Sequence, residues 1–196
     1  NGYSGDGGPA TAASFRNPYA VAVDAAGNLY IADVDNARIR KVSAAGMTST
    51  VAGNGTNGYN GDWVQATNAT LYEPTGIAID NYGTLYIADA WNHRIRAVSN
   101  TGIISTVAGS GVAGFSGDGA SAMSAQLNNP YGIAVSGGYI YVADNTNNRI
   151  RSVTLPTSTK TLLTSDGIEI YPNPVSGNMF TINIRQALTE PLTISV

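Results

Sequence analysis

Cysteine is absent from this chain, so disulfides, thiolate metal sites and thiol nucleophiles are excluded, although the absence fixes no compartment. Histidine is nearly absent: His93 stands alone, and neither a histidine cluster nor a Ser–His–Asp set can be assembled. Charge is sparse, at 12% of 196 residues. Lys and Arg number 10 against 13 Asp and Glu, a net charge of −3 that argues against holding nucleic acid by neutralising its phosphates. No run approaches the roughly 20 apolar residues of a membrane-spanning helix. No signal peptide is visible at Asn1. Helical periodicity is missing except in short Ala-rich pieces such as residues 10–15, each long enough for a turn or two.

What is present is Gly (23 residues), Tyr (11) and an ordinary apolar fraction of 43%, a composition suited to short strands joined by many turns. These residues recur with a period of 56: Gly5-Asp6 as Gly61-Asp62 and Gly117-Asp118, and Pro18 as Pro74 and Pro130. Arg38-Ile39-Arg40 recurs as Arg94-Ile95-Arg96 and then, one residue early, as Arg149-Ile150-Arg151. The short interval falls in the turn at Ser136-Gly137-Gly138, which replaces the longer Asp80-Asn81-Tyr82-Gly83 and leaves strand register intact.

Each repeat predicts four short strands. The first, Ala20 to Val23 with its copies Gly76 to Ile79 and Gly132 to Val135, alternates branched residues with Gly or Ala. One face is bulky and the other small, as in sheets that stack face to face and fill one another. The second strand is Leu29 to Ala32 and its copies, entered through a Gly-bearing hairpin turn. The third starts at Arg38, Arg94 and Arg149. The fourth is Thr50 to Ala52, Thr106 to Ala108 and, less clearly, Thr161 to Leu163.

The recurring Pro74-Thr75-Gly76 to Asp80, Gly83 to Asp89 and Asn92-His93-Arg94-Ile95-Arg96 resembles the NHL repeat, with Ala20 and Ser136 as departures. The long Gly-x-Ser-Gly-Asp-Gly connection is similar to the variant in bacterial NHL proteins and in the extracellular propeller of teneurins. The resemblance implies an all-β fold: a partial β-propeller of about three four-stranded blades, in a family whose rings close with about six. The expected blades are 1–53, 54–109 and 110–163. Residue 1 enters in mid-repeat, so a fragment, or a unit whose ring is completed by other blades, is expected. A linker at 164–167 precedes Tyr171-Pro172-Asn173-Pro174 and the alternating Phe180 to Ile184. That run resembles the start of the C-terminal sorting domain of type IX secretion substrates in Bacteroidetes. Residues 168–196 are then a truncated β-sandwich, and the type IX machinery is an implied partner.

Strands of alternating direction send the fourth-to-first and second-to-third connections to one face. That face gathers Trp63, Tyr72, Trp91 and His93, the candidate ligand contacts. Tyr3, Tyr59 and Phe115 repeat with the period, which favours packing over contact. The motif Asp33, Asn36, Arg38, with Asp89, Asn92, Arg94 and Asp144, Asn147, Arg149, recurs in every blade and reads as architecture. Asp and Asn would cap the turn, and the Arg would pair with the Asp across it. Of the basic residues, Arg38, Arg40, Lys41, Arg94, Arg96, Arg149 and Arg151 fall on third strands beside acidic neighbours, which leaves nucleic acid disfavoured. Asp6, Asp62 and Asp118 offer one carboxylate per loop where calcium needs about six to eight oxygens, so turn chemistry is preferred and no metal or cofactor is expected. The expected role is a secreted or cell-surface module that binds protein or glycan without catalysis. The alternative is a propeller enzyme, lyase or lactonase-like, with its active residues in blades outside this chain.

Overall fold

The computed structural model describes residues 2–155 and, by backbone alone, 168–172 and 180–184. The chain divides into two compact units, Asn1–Thr154 and Leu155–Val196. In the first, β1 (Pro18–Val23), β2 (Leu29–Asp33), β3 (Arg38–Val42) and β4 (Thr48–Ala52) form one antiparallel sheet in that order. The second sheet runs β6 (Pro74–Ile79), β7 (Leu85–Asp89), β8 (Arg94–Val98), β9 (Ile103–Ala108), and a two-residue strand, β5 (Val64–Gln65), lies outside β9. The third contains β10 (Pro130–Ser136), β11 (Tyr139–Asp144) and β12 (Arg149–Thr154). In the second unit β13 (Ile168–Pro172) and β14 (Phe180–Ile184) pair as an antiparallel hairpin. The expected fourth strand at Thr161 to Leu163, the linker 164–167 and most of the expected sorting domain lie outside the described residues.

The strands form where the size alternation predicted them, and the turns explain their ends. The Asp24 carboxylate accepts the amides of Ala26 and Asn28, and Asp80 accepts those of Tyr82 and Thr84, closing the β1–β2 and β6–β7 hairpins. Where Ser136 stands in place of the Asp, the turn shortens to Gly137-Gly138, both with positive φ. Ser136 then faces Tyr139 directly, the two-residue hairpin that a non-glycine pair would resist. The Ala-rich pieces form single 3-10 turns at Ala10–Ala12, Ala66–Asn68 and Ala122–Ser124. Strand β5 was not foreseen: two residues are too few to show an alternation.

The sheets stack as blades of a partial β-propeller, β1 against β6 and β6 against β10. The small face of each blade takes the bulky face of the next. Ile77 packs with Ala20 and Ala22 of the first blade, and the Gly76 side of β6 lies against the Tyr131–Ile133 backbone of the third. Thr75 adds an inter-blade hydrogen bond, its hydroxyl donating to the Tyr131 carbonyl at 3.1 Å.

Candidate functional site

The register opposes Pro18 to Asp33, Pro74 to Asp89 and Pro130 to Asp144. The strand starts and the second-to-third turns therefore share one face with the long Gly-Asp connections. Each turn is a single 3-10 turn, Val34–Asn36, Ala90–Asn92 or Asn145–Asn147, followed by a residue in the left-handed region: Ala37, His93 or Asn148. Of these residue types, Asn is the one most at ease there.

The Asp of each motif is fully buried and holds its turn. Asp89 accepts the Tyr72 amide at 2.7 Å and the Asn92 amide group at 2.8 Å, while Asn92 also donates to the Gly58 carbonyl of the long loop. Asp33 with Asn36, and Asp144 with Asn147, repeat the arrangement.

The expected pairing of this Asp with Arg38, Arg94 or Arg149 is overturned. The arginine two residues later takes the role. Arg96 is completely buried and reaches both Asp89, at 3.4 Å, and Asp62 of the Gly-Asp loop, at 3.0 Å. It also donates to the Gly61 carbonyl. Arg40 bridges Asp33 and Asp6 in the same way, and Arg151 bridges Asp144 and Asp118. Arg94 instead donates to the Asn92 and Ser110 carbonyls and lies 3.9 Å over the Tyr59 ring, as Arg38 lies over Tyr3 and Arg149 over Phe115. Each loop aromatic is thus pinned on two arginines of its own third strand, and the third strands present no free basic stripe. The loop carboxylates Asp6, Asp62 and Asp118, expected to serve only as turn residues, are partners of the second arginine of each motif.

Burial pushes the Asp89 carboxyl up to about 6, against the pull of the Tyr72 amide, Asn92 and Arg96. For Asp6 partial burial is the largest single influence and raises the pKa, but hydrogen bonds from Tyr3, Thr50 and Arg40, with the Arg40 charge, together outweigh it and hold the carboxyl below the usual range. For Asp89 the folded pKa exceeds the unfolded one. Between about pH 4 and pH 6 the folded chain therefore keeps a proton that the unfolded chain has lost. The contribution of this carboxyl to stability is present below pH 4 and is lost as pH rises to about 6. Asp89→Asn removes that dependence: the unfolding free energy of the native chain, minus that of the variant, should fall across this window and level off above it. A difference that rises with pH would contradict the assignment. The check is urea unfolding at half-unit pH steps.

Of the four candidate contacts, the structure brings Tyr72 and Trp91 together. Their rings stack at 5.5 Å with planes 25° apart, and the Trp91 amide donates to the Tyr72 carbonyl. Trp91 remains 47% exposed. His93 is not free for a ligand at Nδ1, which accepts the Asn129 amide of the third blade. Burial lowers its pKa, with help from Arg94, so the ring is neutral at pH 7 and suited to accept that bond. Trp63 departs from the expected grouping: it is in the left-handed region with its amide bonded to Ile104 of β9, level in the register with Val98, Leu85 and Ile79 at the β6–β7 hairpin end of the sheet, away from the Asp89–His93 turn. The acidic ends of the inner strands, Asp24 and Asp80, are occupied in the opposite turns, where each also accepts a tyrosine hydroxyl. Among the described residues no three His, Asp or Glu side chains gather to hold a metal, and no helix is long and apolar enough to cross a membrane.

The teneurin NHL domain family matches the chain three times, at residues 1–60, 54–114 and 111–196. The chain is similar to the protein SUPPRESSOR OF QUENCHING 1, chloroplastic, of Arabidopsis thaliana, 39% identical over 87 residues that cover 43% of this chain and 8% of that protein. It is similar to teneurin-4 of Homo sapiens, 40% identical over 102 residues, 45% of this chain and 4% of that protein. The chain thus spans less than a tenth of the length of these curated relatives. Among solved structures it resembles a protein of unknown function from Bacteroides thetaiotaomicron, with a TM-score of 0.62 and 26% identity over 70% of this chain and 34% of that one.

Proposed function

We propose, on the premise that the chain belongs to the teneurin NHL domain family, that it is a non-catalytic binding module displayed outside the cell, taking a protein or glycan ligand on its loop face. The observation that carries this reading is the Tyr72–Trp91 pair. Two large rings are stacked on each other and fixed by a backbone bond, yet half of Trp91 is left in water. An exposed aromatic already held in its rotamer loses little entropy when a sugar face or apolar side chain covers it. His93 borders the same face in this reading, as the tether that holds the turn.

The Tyr171-Pro172-Asn173-Pro174 run and the β13–β14 hairpin support reading 168–196 as the start of a type IX sorting domain, after propeller blades ending near 163 and a linker at 164–167. Secretion or surface display, with the type IX machinery as a partner, rests on that motif.

Screening on a glycan array and an extracellular-protein panel, followed by titration of the best ligand, tests the binding face. Trp91→Ala should weaken binding by about 30-fold or more, the loss typical of a buried aromatic anchor. Because the side chain is half exposed, the melting temperature should move by no more than a few degrees. Undiminished binding by Trp91→Ala and Tyr72→Ala rules this face out.

A further inference from the structure

Resting on the ligand face described above, we propose that its ligand is a guanidinium, the arginine side chain of a protein partner, held between the Trp91 ring and the Glu73 carboxylate. Positions 17, 73 and 129 are equivalent, and each precedes the proline that opens a first strand. All three are in the left-handed region, with φ of 53°, 50° and 48°. Two of them are Asn, which is at ease there; the other is Glu, which is not. The two Asn show where a side chain from this position goes. Asn17 donates to the Asp35 carboxylate at 3.3 Å, and Asn129 donates to the Thr146 hydroxyl at 3.4 Å. Asp35 and Thr146 are the equivalents of Trp91. By that equivalence the Glu73 side chain runs toward the Trp91 ring. The Glu73 carbonyl also accepts the Ala90 amide, which roots the residue beside the same turn.

The blades answer that position differently. In the first blade the sites of Tyr72 and Trp91 hold Arg16 and Asp35, an ion pair at 3.4 Å, so charge is met within the chain. In the second an aromatic stack replaces the pair, and a carboxylate stands next to it. Among the described residues Glu73 enters no ion pair. The arginines of its own blade are committed: Arg94 to Tyr59 and two carbonyls, Arg96 to Asp89 and Asp62. An unpaired carboxylate beside an exposed indole face is complementary to a cation. A guanidinium suits it better than an ammonium, because it lies flat on the ring while its fork of N–H groups reaches a carboxylate at the edge. The chain makes half of this contact three times itself: the guanidinium carbons of Arg38, Arg94 and Arg149 lie 3.8, 3.9 and 3.8 Å from the ring centroids of Tyr3, Tyr59 and Phe115. A neutral sugar covers the ring but leaves the carboxylate without a countercharge. A residue held in an uncomfortable backbone conformation with no partner of its own points to function more than to folding.

N-acetylarginine amide is the probe, and the indole Nε1–H resonances of Trp91 and Trp63 are the readout. The probe should move the Trp91 signal saturably in the millimolar range and leave Trp63 still. N-acetylcitrulline amide, similar in shape but uncharged, should bind about 5-fold more weakly or worse. Glu73→Gln should cost a similar factor, and the preference for arginine over citrulline should vanish with it. Glu73→Asn, which restores the residue of the other two blades, should bind as poorly as Glu73→Gln and melt no lower than the native chain. A Trp91 signal that does not move, citrulline amide bound equally well, or Glu73 variants that bind as the native chain does each overturn the inference. So does a Glu73→Asn chain that melts lower, since Glu73 is then a structural residue. A neutral methyl glycoside that moves Trp91 alike in the native chain and in Glu73→Gln overturns the cation while keeping the ligand face.

Discussion

Replacing Arg96 by Met should cost about 3–5 kcal/mol of folding stability, the range for breaking a buried ion pair by removing one partner. Arg96 has no exposed surface and lies between Asp89, equally buried, and Asp62 of the long loop. Without the guanidinium the Asp89 carboxylate keeps the Tyr72 amide and Asn92 but no countercharge, and its pKa rises further. The Gly61 carbonyl loses its tie to Arg96, and Asp62 keeps only the Thr106 hydroxyl of β9. For a unit of this size the loss is roughly 10 °C in melting temperature. Arg94→Met is the control. Its guanidinium is only partly buried, stacks on Tyr59 and donates to carbonyls that water can also serve, so about 1 kcal/mol is expected. Adding Asp89→Asn to Arg96→Met should recover part of the loss, because no uncompensated charge then remains. Urea unfolding of the four chains decides. Equal effects at Arg94 and Arg96 would refute the assignment of roles.

Gly76→Val should destabilise by about 1–3 kcal/mol or more through overpacking. A Cβ built at Gly76 falls onto the Tyr131 carbonyl and close to the Ile133 amide, both backbone atoms of the next blade that cannot rotate away. The position recurs, which gives the comparison its force. At Gly132 a Cβ meets only the Ala143 methyl at 3.4 Å on the open face of the third blade. In the first blade Ala20 already fills the site. Gly132→Ala should therefore stay within about half a kcal/mol of the native chain or stabilise it slightly by restricting the unfolded state. A Gly76 variant as stable as the Gly132 variant would mean that the second and third blades do not stack as described.

Much of this was legible in the sequence because repetition is read without knowing the fold. The period of 56 fixed the blade count, and the alternation of Gly or Ala with Ile or Val gave two faces of unequal size. The Ser136 departure, with its shortened turn, marked the Gly137-Gly138 hairpin. The arginine assignment failed for a physical reason. Asp89 opposes Arg94 in the strand register, so a cross-strand pair was the natural expectation. Arg94 and Arg96 point to the same side of the strand, however, and the Tyr59 ring takes Arg94 while the long loop closes over Arg96. The signal was present in Asp6, Asp62 and Asp118, a carboxylate repeating in step with the second arginine of each motif. Turn chemistry explained that carboxylate too readily. At the ligand face the sequence placed four residues on one side but could not separate them. Stacking of Tyr72 on Trp91, the tether from His93 to Asn129 and the distance of Trp63 depend on loop paths that residue spacing does not encode.

The central claim is that three unequal-faced sheets nest in series, so that among the described sheets the middle one is covered on both sides by its neighbours. Native-state hydrogen exchange addresses it directly through the second strand of each blade, which is paired along both edges. Nearest-neighbour stacking predicts that amides of β7, such as Ile87, open least often, and that Ile31 of β2 and Val142 of β11 exchange through smaller, separate openings. Protection of β7 no greater than that of β2 and β11 would contradict the nesting.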